Sequence, residues 1–201
     1  MLITKVLVTK NQAIVQFSNN QELEVSINTY LDLHLREGLD IELKEIKAKE
    51  DYYKALEYGL KLTRKREYSS FKVKLMINKK YSEIVTNQVI KRLEQLSLID
   101  DEYIINKTIN KCLTRNYGKL KIIHQLEMDG FKDVDKYFTL EVEEQINENI
   151  NQAAYKYIKS HKRYNNDKMR QNLYRYLLYL GYNNEEINHY MSLFGGENNG
   201  Y

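Results

Sequence analysis

The chain has no proline, no tryptophan, one cysteine and eight glycines in 201 residues. The lone Cys112 excludes an intrachain disulfide and any zinc site built on cysteine pairs. No apolar run nears the roughly 20 residues that cross a bilayer, so no membrane span is expected. The opening Met1-Leu2-Ile3-Thr4-Lys5 lacks a basic segment followed by an apolar one. No secretory signal is expected, and the cytoplasm is the default compartment. The missing residues, set beside many Lys, Asn and Ile and 18 tyrosines, match A/T-rich codon usage. The tyrosine count alone is therefore no sign of base stacking.

What is present suits a folded helical protein. Apolar residues make up 42%, charged residues 29%, and mean hydropathy is −0.65, so a real core sits inside a well-solvated surface. The net charge of +3 is unevenly placed. Residues 1–50 hold 6 basic and 8 acidic side chains, and residues 51–100 hold 11 and 6. Residues 101–150 hold 7 and 10, and residues 151–201 hold 7 and 4. Alternating sign fits a chain that meets a polyanion through some segments and protein or water through others.

The first 27 residues read as β structure. Leu23-Glu24-Val25-Ser26-Ile27 alternates strictly, and Leu2–Val8 and Ala13–Phe17 are rich in Val and Ile. Lys10-Asn11-Gln12 and Ser18-Asn19-Asn20 mark the turns. A helix near Asn28–Arg36, ended by Gly38, is expected to cover this small sheet. From about Ala48 the period becomes helical, with Tyr52, Leu56, Leu60 and Thr63 four or three apart. Ser69-Ser70, Ser82, Asp100-Asp101 and Asp133 are expected to cap successive helices, the one after Asp133 being long. Gly118 precedes a short helix that Gly130 ends, and Gly181 ends a later one.

Three segments superpose. Met76 stands five before Tyr81, Leu126 five before Phe131 and Leu177 five before Tyr182, with Gly130 and Gly181 just before the aromatic in the last two. The aromatics are 50 and 51 residues apart. Such a period predicts stacked helical units, each too small to bury its own apolar face. The expected fold is mainly α, tandem three-helix repeats in an elongated curved array behind a β-rich leader. The expected boundaries are 1–48 for the leader, 49–100, 101–150 and 151–194 for the repeats, and 195–201 for a frayed tail.

No catalytic motif stands out. His34, His124, His161 and His189 are scattered, and no Gly-rich phosphate loop or Gly-x-Ser-x-Gly elbow occurs. Glu141, Glu143 and Glu144 read as a solvated helix face, and Cys112 as packing. No catalytic, cofactor-binding or metal-binding residue is expected. The cations are more informative. Lys61, Arg64, Lys65, Arg66, Lys72, Lys74, Lys79 and Lys80 fall within twenty residues beside one acid, Glu67. Helix C-termini attract cations, which accounts for Arg64–Arg66 but not for the whole density. Contact with phosphates or an acidic protein accounts for all of it. A second group, Lys159, Lys162, Arg163, Lys168 and Arg170, surrounds a polar loop beside Asp167. Tyr155, Tyr157, Tyr164 and Tyr174 interleave with it, as stacking platforms or as core.

From Tyr53 to Phe194 the chain resembles the RecX family of recombination regulators. The resemblance rests on Ala55-Leu56, Arg64-Lys65-Arg66-Glu67-Tyr68-Ser69 and above all Leu96-Ser97-Leu98-Ile99-Asp100-Asp101-Glu102-Tyr103, which is similar to the family's most specific signature. Tyr117-Gly118-Lys119-Leu120-Lys121-Ile122 resembles the start of the middle repeat's second helix, and Gly130-Phe131 and Gly181-Tyr182 the repeated glycine–aromatic joint. The chain departs from the pattern at Lys80, where Gly is frequent, and at Ile104, where Ala is usual. The β leader is similar to that of members from low-GC Gram-positive bacteria. The resemblance implies a regulator with no active site; an elongated monomer is the default expectation. Such a protein lies in the groove of a RecA–single-stranded-DNA filament and modulates, with inhibition as the expected sign, its growth, ATP hydrolysis, strand exchange and co-protease activity. It implies a part in DNA repair, homologous recombination and the SOS response. RecA and single-stranded DNA are the implied partners, with duplex DNA as a further candidate.

Three other readings stay open at this level. A duplex-binding transcription factor would leave a footprint from one recognition helix. A nuclease would cleave in the presence of metal. A scaffold would tolerate neutralisation of Arg64, Lys65, Arg66, Lys79 and Lys80.

Overall fold

The structure, a computed structural model, describes residues 1–161 and 166–196. Two units result, Met1–Asp100 and Asp101–Tyr201.

The first unit opens with an antiparallel meander in the order β1 (Ile3–Val8), β2 (Gln12–Phe17), β3 (Glu22–Ser26). Period-2 alternation puts Ala13, Val15 and Phe17 of β2 on the buried face, with Ile3 and Val25 beside them. Leu39 and Ile41 run alongside β1: the Ile3 amide donates to the Leu39 carbonyl (2.9 Å) and the Ile41 amide to the Met1 carbonyl (3.2 Å). The cover is shorter than the sequence suggests. The helix α1 (Ile27–Asp32) is capped by Ser26, and the N-terminal part of α2 (Leu43–Lys65) completes the lid through Ile46. α2 therefore begins five residues before the helical period is visible, because its first turns face the sheet rather than other helices.

One carboxylate ties these parts together. Glu50 on α2 is 7% exposed and accepts bonds from the Ser26 amide (2.9 Å), the Ser26 hydroxyl (2.9 Å) and the Thr29 hydroxyl (2.7 Å). Lys54 lies 3.3 Å from its other oxygen. Burial alone would raise its pKa; the bonds from Thr29, Ser26 and Lys54 outweigh burial and lower it.

The rest of α2 packs with α3 (Ser70–Asn78) and α4 (Glu83–Gln95) around Ala55, Val73, Ile77, Val85, Val89, Ile90, Leu93 and Ile99. Ser69 and Ser82 cap α3 and α4, accepting from the Lys72 and Val85 amides as expected. On α2 the buried line is Ala55 and Gly59, with Tyr52, Leu56 and Leu60 flanking it. A Cβ on Gly59 would lie 2.9 Å from a Leu93 methyl, so the small residue lets α4 approach closely.

The second unit contains α5 (Asp101–Leu113), α6 (Lys119–Met128), a one-turn 3-10 segment (Val134–Tyr137), α7 (Leu140–Ser160), α8 (Asn166–Tyr179) and α9 (Asn184–Gly196). A single core runs through all of it, from Ile105 and Ile122 through Phe131, Ile146 and Leu173 to Tyr182 and Ile187. The joints found in the sequence recur here as hydrogen-bonded motifs. The Phe131 amide donates to Leu126 O (3.0 Å) and the Gly130 amide to Glu127 O (2.9 Å). The Tyr182 amide donates to Leu177 O (3.2 Å) and the Gly181 amide to Leu178 O (2.9 Å). Gly130 and Gly181 have φ of 91° and 89°, the left-handed turn that ends a helix in this way. Tyr81 differs. It bonds to Ile77 O (3.1 Å) rather than to Met76, since Lys80 does not take the left-handed turn.

Two expectations are corrected. Asp133 caps no long helix; it has φ of 52° and makes no side-chain cap bond. Phe131, Val134 and Phe138 sink into the core across the 3-10 turn, and Thr139 instead caps α7 by accepting from the Val142 amide (3.4 Å). The expected repeat boundary between 150 and 151 falls inside α7, which is continuous and buries Ile150, Ala153 and Ala154 along one face. Of the expected tail, residues 195–196 end α9, and residues 197–201 lie outside the described residues.

Candidate functional site

Both cationic groups sit where a helix ends and the next begins. In the first unit, Arg64 and Lys65 form the last turn of α2 and Arg66 is its C-cap, so their charges face the negative end of the helix dipole. All three are exposed. The Arg66 guanidinium lies 5.6 Å from the centre of the Tyr68 ring. α3 then carries Lys72 and Lys74, both half-buried, and exposed Lys79 and Lys80 follow it. The Lys80 ammonium stands 4.4 Å from the Tyr58 ring on α2. Tyr58 is about 10 Å along the helix axis from Lys65, so Lys80 and the α2 terminus share one flank of the unit. Lys61 pairs with Glu57 (2.6 Å) and Lys74 with Glu83 (3.6 Å).

In the second unit, Lys159 lies in the last turn of α7, and Lys168 and Arg170 lie near the start of α8. All three are exposed. Lys162, Arg163 and Tyr164 lie outside the described residues. The tyrosines divide. Tyr155 is 64% exposed, with the Lys159 ammonium 5.9 Å from its ring. Tyr157 is stacked between His161 (4.1 Å) and Tyr176 (4.7 Å), and Tyr174 bonds Asn184 Oδ1 (2.9 Å), so both serve the fold. Burial raises the Tyr176 phenol above its usual range.

Residues that sequence reasoning passed over add to this. The Lys121 ammonium lies between the rings of Tyr179 (3.8 Å) and Tyr117 (4.6 Å) and donates to the Tyr179 carbonyl (3.1 Å). Lys119 pairs with Glu143 (3.0 Å) and lies over Phe138 (4.8 Å). In the first unit a cavity of about 640 Å³ opens between α1, α2 and α4, lined in part by Lys49, Tyr52, Tyr53, Lys91 and Arg92. Its Lys49 is tied to Asp32 (2.5 Å), which lowers the carboxyl's pKa and raises the ammonium's. Apart from Lys121 with Tyr117, no spacing rule announces these pairs, because their partners are far apart in sequence.

Cys112 is buried in the second core, and burial pushes its thiol up, as packing requires. Among the described residues, no group of three or more His, Cys, Asp or Glu side chains is placed to hold a metal ion. None of the described helices is long and apolar enough to cross a membrane.

The fold is thus a small antiparallel sheet followed by helical modules, with cations gathered at module joints. Comparison with known proteins names that arrangement. The family model described as RecX, third three-helix domain, matches residues 143–191, which span most of α7 through α9. A crystal structure of regulatory protein RecX superposes with a TM-score of 0.71 at 17% identity, covering 92% of this chain and 96% of that one. A crystal structure of RecX from Lactobacillus salivarius superposes with a TM-score of 0.60 at 16% identity, covering 71% and 95%. No curated protein matches the chain in sequence. Together these findings show a RecX-like fold, with a sequence match to a RecX three-helix domain over residues 143–191.

Proposed function

We infer that the protein regulates homologous recombination and DNA repair by binding the RecA–single-stranded-DNA filament and inhibiting RecA, with no catalysis of its own. The observation that carries this reading is the RecX-like fold over 92% of the chain, joined to the sequence match at the third three-helix domain. The two cationic groups support it. Each presents several exposed Lys and Arg at a helix junction, the form of surface that replaces counterions along a phosphate backbone. A binding regulator of this kind needs shape and charge rather than reacting groups. It works in the cytoplasm as a monomer, its modules spanning neighbouring RecA subunits while the cations approach DNA.

The test is co-sedimentation with RecA filaments, with and without single-stranded DNA, across a salt series, with RecA ATP hydrolysis followed in parallel. The expected result is binding that weakens as salt rises and a fall in ATP hydrolysis. Binding that leaves filament assembly and hydrolysis unchanged overturns the reading.

A further inference from the structure

The short helix α3 is apolar on the wrong side. At 3.6 residues per turn, Val73 and Ile77 lie on one face and are fully buried against α2 and α4. The opposite face of such a surface helix is ordinarily polar. Here it carries Phe71 and Leu75, one turn apart, 43% and 49% exposed. Asn78 continues the same line. Lys74 stands on one flank of this strip, and Lys72 and Lys79 on the other. Just before the helix come Arg64, Lys65 and Arg66. The outward face is thus an apolar strip with Lys74 on one side and Lys72 and Lys79 on the other.

We propose that this face of α3 docks a protein: a partner surface with an apolar centre that packs on Phe71 and Leu75, and carboxylates on its rim that meet the flanking lysines. The proposal rests on the reading that the protein binds a RecA filament, and assigns this surface to the filament's protein component rather than its DNA. Three features of this surface select a protein occupant. A phosphate backbone is recognised by cations and has no use for an exposed leucine. Bases stack on flat rings, and a branched aliphatic side chain offers none. The lysine flanks are complementary to carboxylates, so an acidic rim supplies steering and register while the apolar pair supplies contact area. A second copy of this chain is disfavoured, because a two-fold contact would set Lys72 and Lys79 against the same lysines. Two apolar side chains are also too few to hold a nine-residue helix in a lipid interface.

The assignment separates two roles within one cationic stretch. Lys74 is tied to Glu83 at 3.6 Å, which orients the flank. The exposed Arg64–Arg66 end of α2 remains the surface suited to phosphate.

The experiment uses the full chain and RecA filaments assembled on single-stranded DNA. A double variant, Phe71→Ser with Leu75→Ser, is compared with the unaltered protein in co-sedimentation, and both are titrated with single-stranded DNA alone. Thermal melting and sedimentation velocity of both proteins accompany these measurements. The expected result is a loss of about tenfold or more in filament affinity, with DNA affinity and melting unchanged. Lys79→Glu, an exposed single change, is expected to weaken filament binding in the same sense and decides the matter should the double variant fail to fold. Equal filament binding by the variants overturns the proposal. So does a parallel loss of DNA affinity, which would make α3 a nucleic-acid face, or a dimer that the serines dissociate, which would make it a contact between copies. Failure of the unaltered protein to bind filaments overturns the functional reading, and this inference with it.

Discussion

The backbones of Gly118 and Gly181 touch across the second unit. The Gly118 amide donates to Leu180 O (2.8 Å), and the Leu120 amide donates to Gly181 O (3.1 Å). Carbonyls left over at the end of α8 thereby satisfy amides left over at the start of α6. The Tyr182 hydroxyl donates to Asn116 O (3.0 Å) beside them, and burial holds that phenol well above its usual pKa. A Cβ at Gly118 would lie 2.5 Å from Gly181 O, and one at Gly181 would overlap the backbone of Lys121. Gly118→Ala must part the two helix ends. Gly181→Ala must also hold alanine at φ of 89°. Each is expected to cost roughly 3 kcal/mol, combining steric strain with, at Gly181, the left-handed penalty. Urea unfolding followed by circular dichroism checks this; a loss under about 1 kcal/mol would show that the joint yields freely.

This contact also marks how far the sequence could be read. Gly118, Gly130 and Gly181 are visible as helix punctuation, and Ser69 and Ser82 as caps, because these features act within a few residues. The pairing of Gly118 with Gly181 spans 63 positions, and no local pattern encodes it. Glu50 was silent for the same reason: its partners Ser26 and Thr29 lie 24 and 21 residues away. Asp133 misled because an acidic residue before an apolar run is a common cap, whereas here the chain first makes a 3-10 turn to bury Phe131, Val134 and Phe138. The cations were legible as a density. Which of them carry acidic partners and which flank an apolar strip depends on helix faces that only the packing defines.

Ser97 ends α4 in the same left-handed turn that Gly130 and Gly181 use, with φ of 53°. The Leu98 amide donates to Leu93 O (2.9 Å) and the Ser97 amide to Glu94 O (2.8 Å). A side chain in this conformation costs about 1–2 kcal/mol, and glycine gives back about 0.5–1 kcal/mol through the unfolded chain's entropy. Ser97 is exposed, so little packing is at stake. Ser97→Gly is expected to stabilise the protein by roughly 0.5 kcal/mol, read as a higher urea midpoint. A lower midpoint would mean that the serine side chain makes a contact worth more than the strain.

Glu50 makes the first unit sensitive to acid. Its folded pKa lies below the ordinary glutamate value of 4.5. The carboxylate's contribution is therefore whole above that value and is lost as pH falls through the lowered folded pKa. Glu50→Gln keeps the shape but loses the charge-assisted bonds from Ser26, Thr29 and Lys54, at a cost of about 1–2 kcal/mol near neutrality. The gap between the native protein and Glu50→Gln should narrow as unfolding is measured at successively lower pH below 4.5. A gap that stays constant would locate the acid sensitivity elsewhere, with Asp32 and its Lys49 partner the next pair to vary.

The α2 terminus and the α7–α8 junction can be separated by their salt dependence. Each phosphate neutralised on single-stranded DNA contributes about 0.7 to the slope of log affinity against log salt. Converting Arg64, Lys65 and Arg66 to Gln is expected to weaken single-stranded-DNA binding and to lower that slope by about 2, if all three meet phosphate. Their exposure and their place on the helix end make a folding defect an unlooked-for outcome, which unchanged melting verifies. Lys159→Gln with Lys168→Gln and Arg170→Gln probes the second junction in the same assay. A slope that drops with the first set alone assigns phosphate contact to the first unit. A slope that drops with both assigns it to both. A slope untouched by either leaves the two surfaces as contacts for acidic protein, and the filament's DNA out of reach of these six side chains.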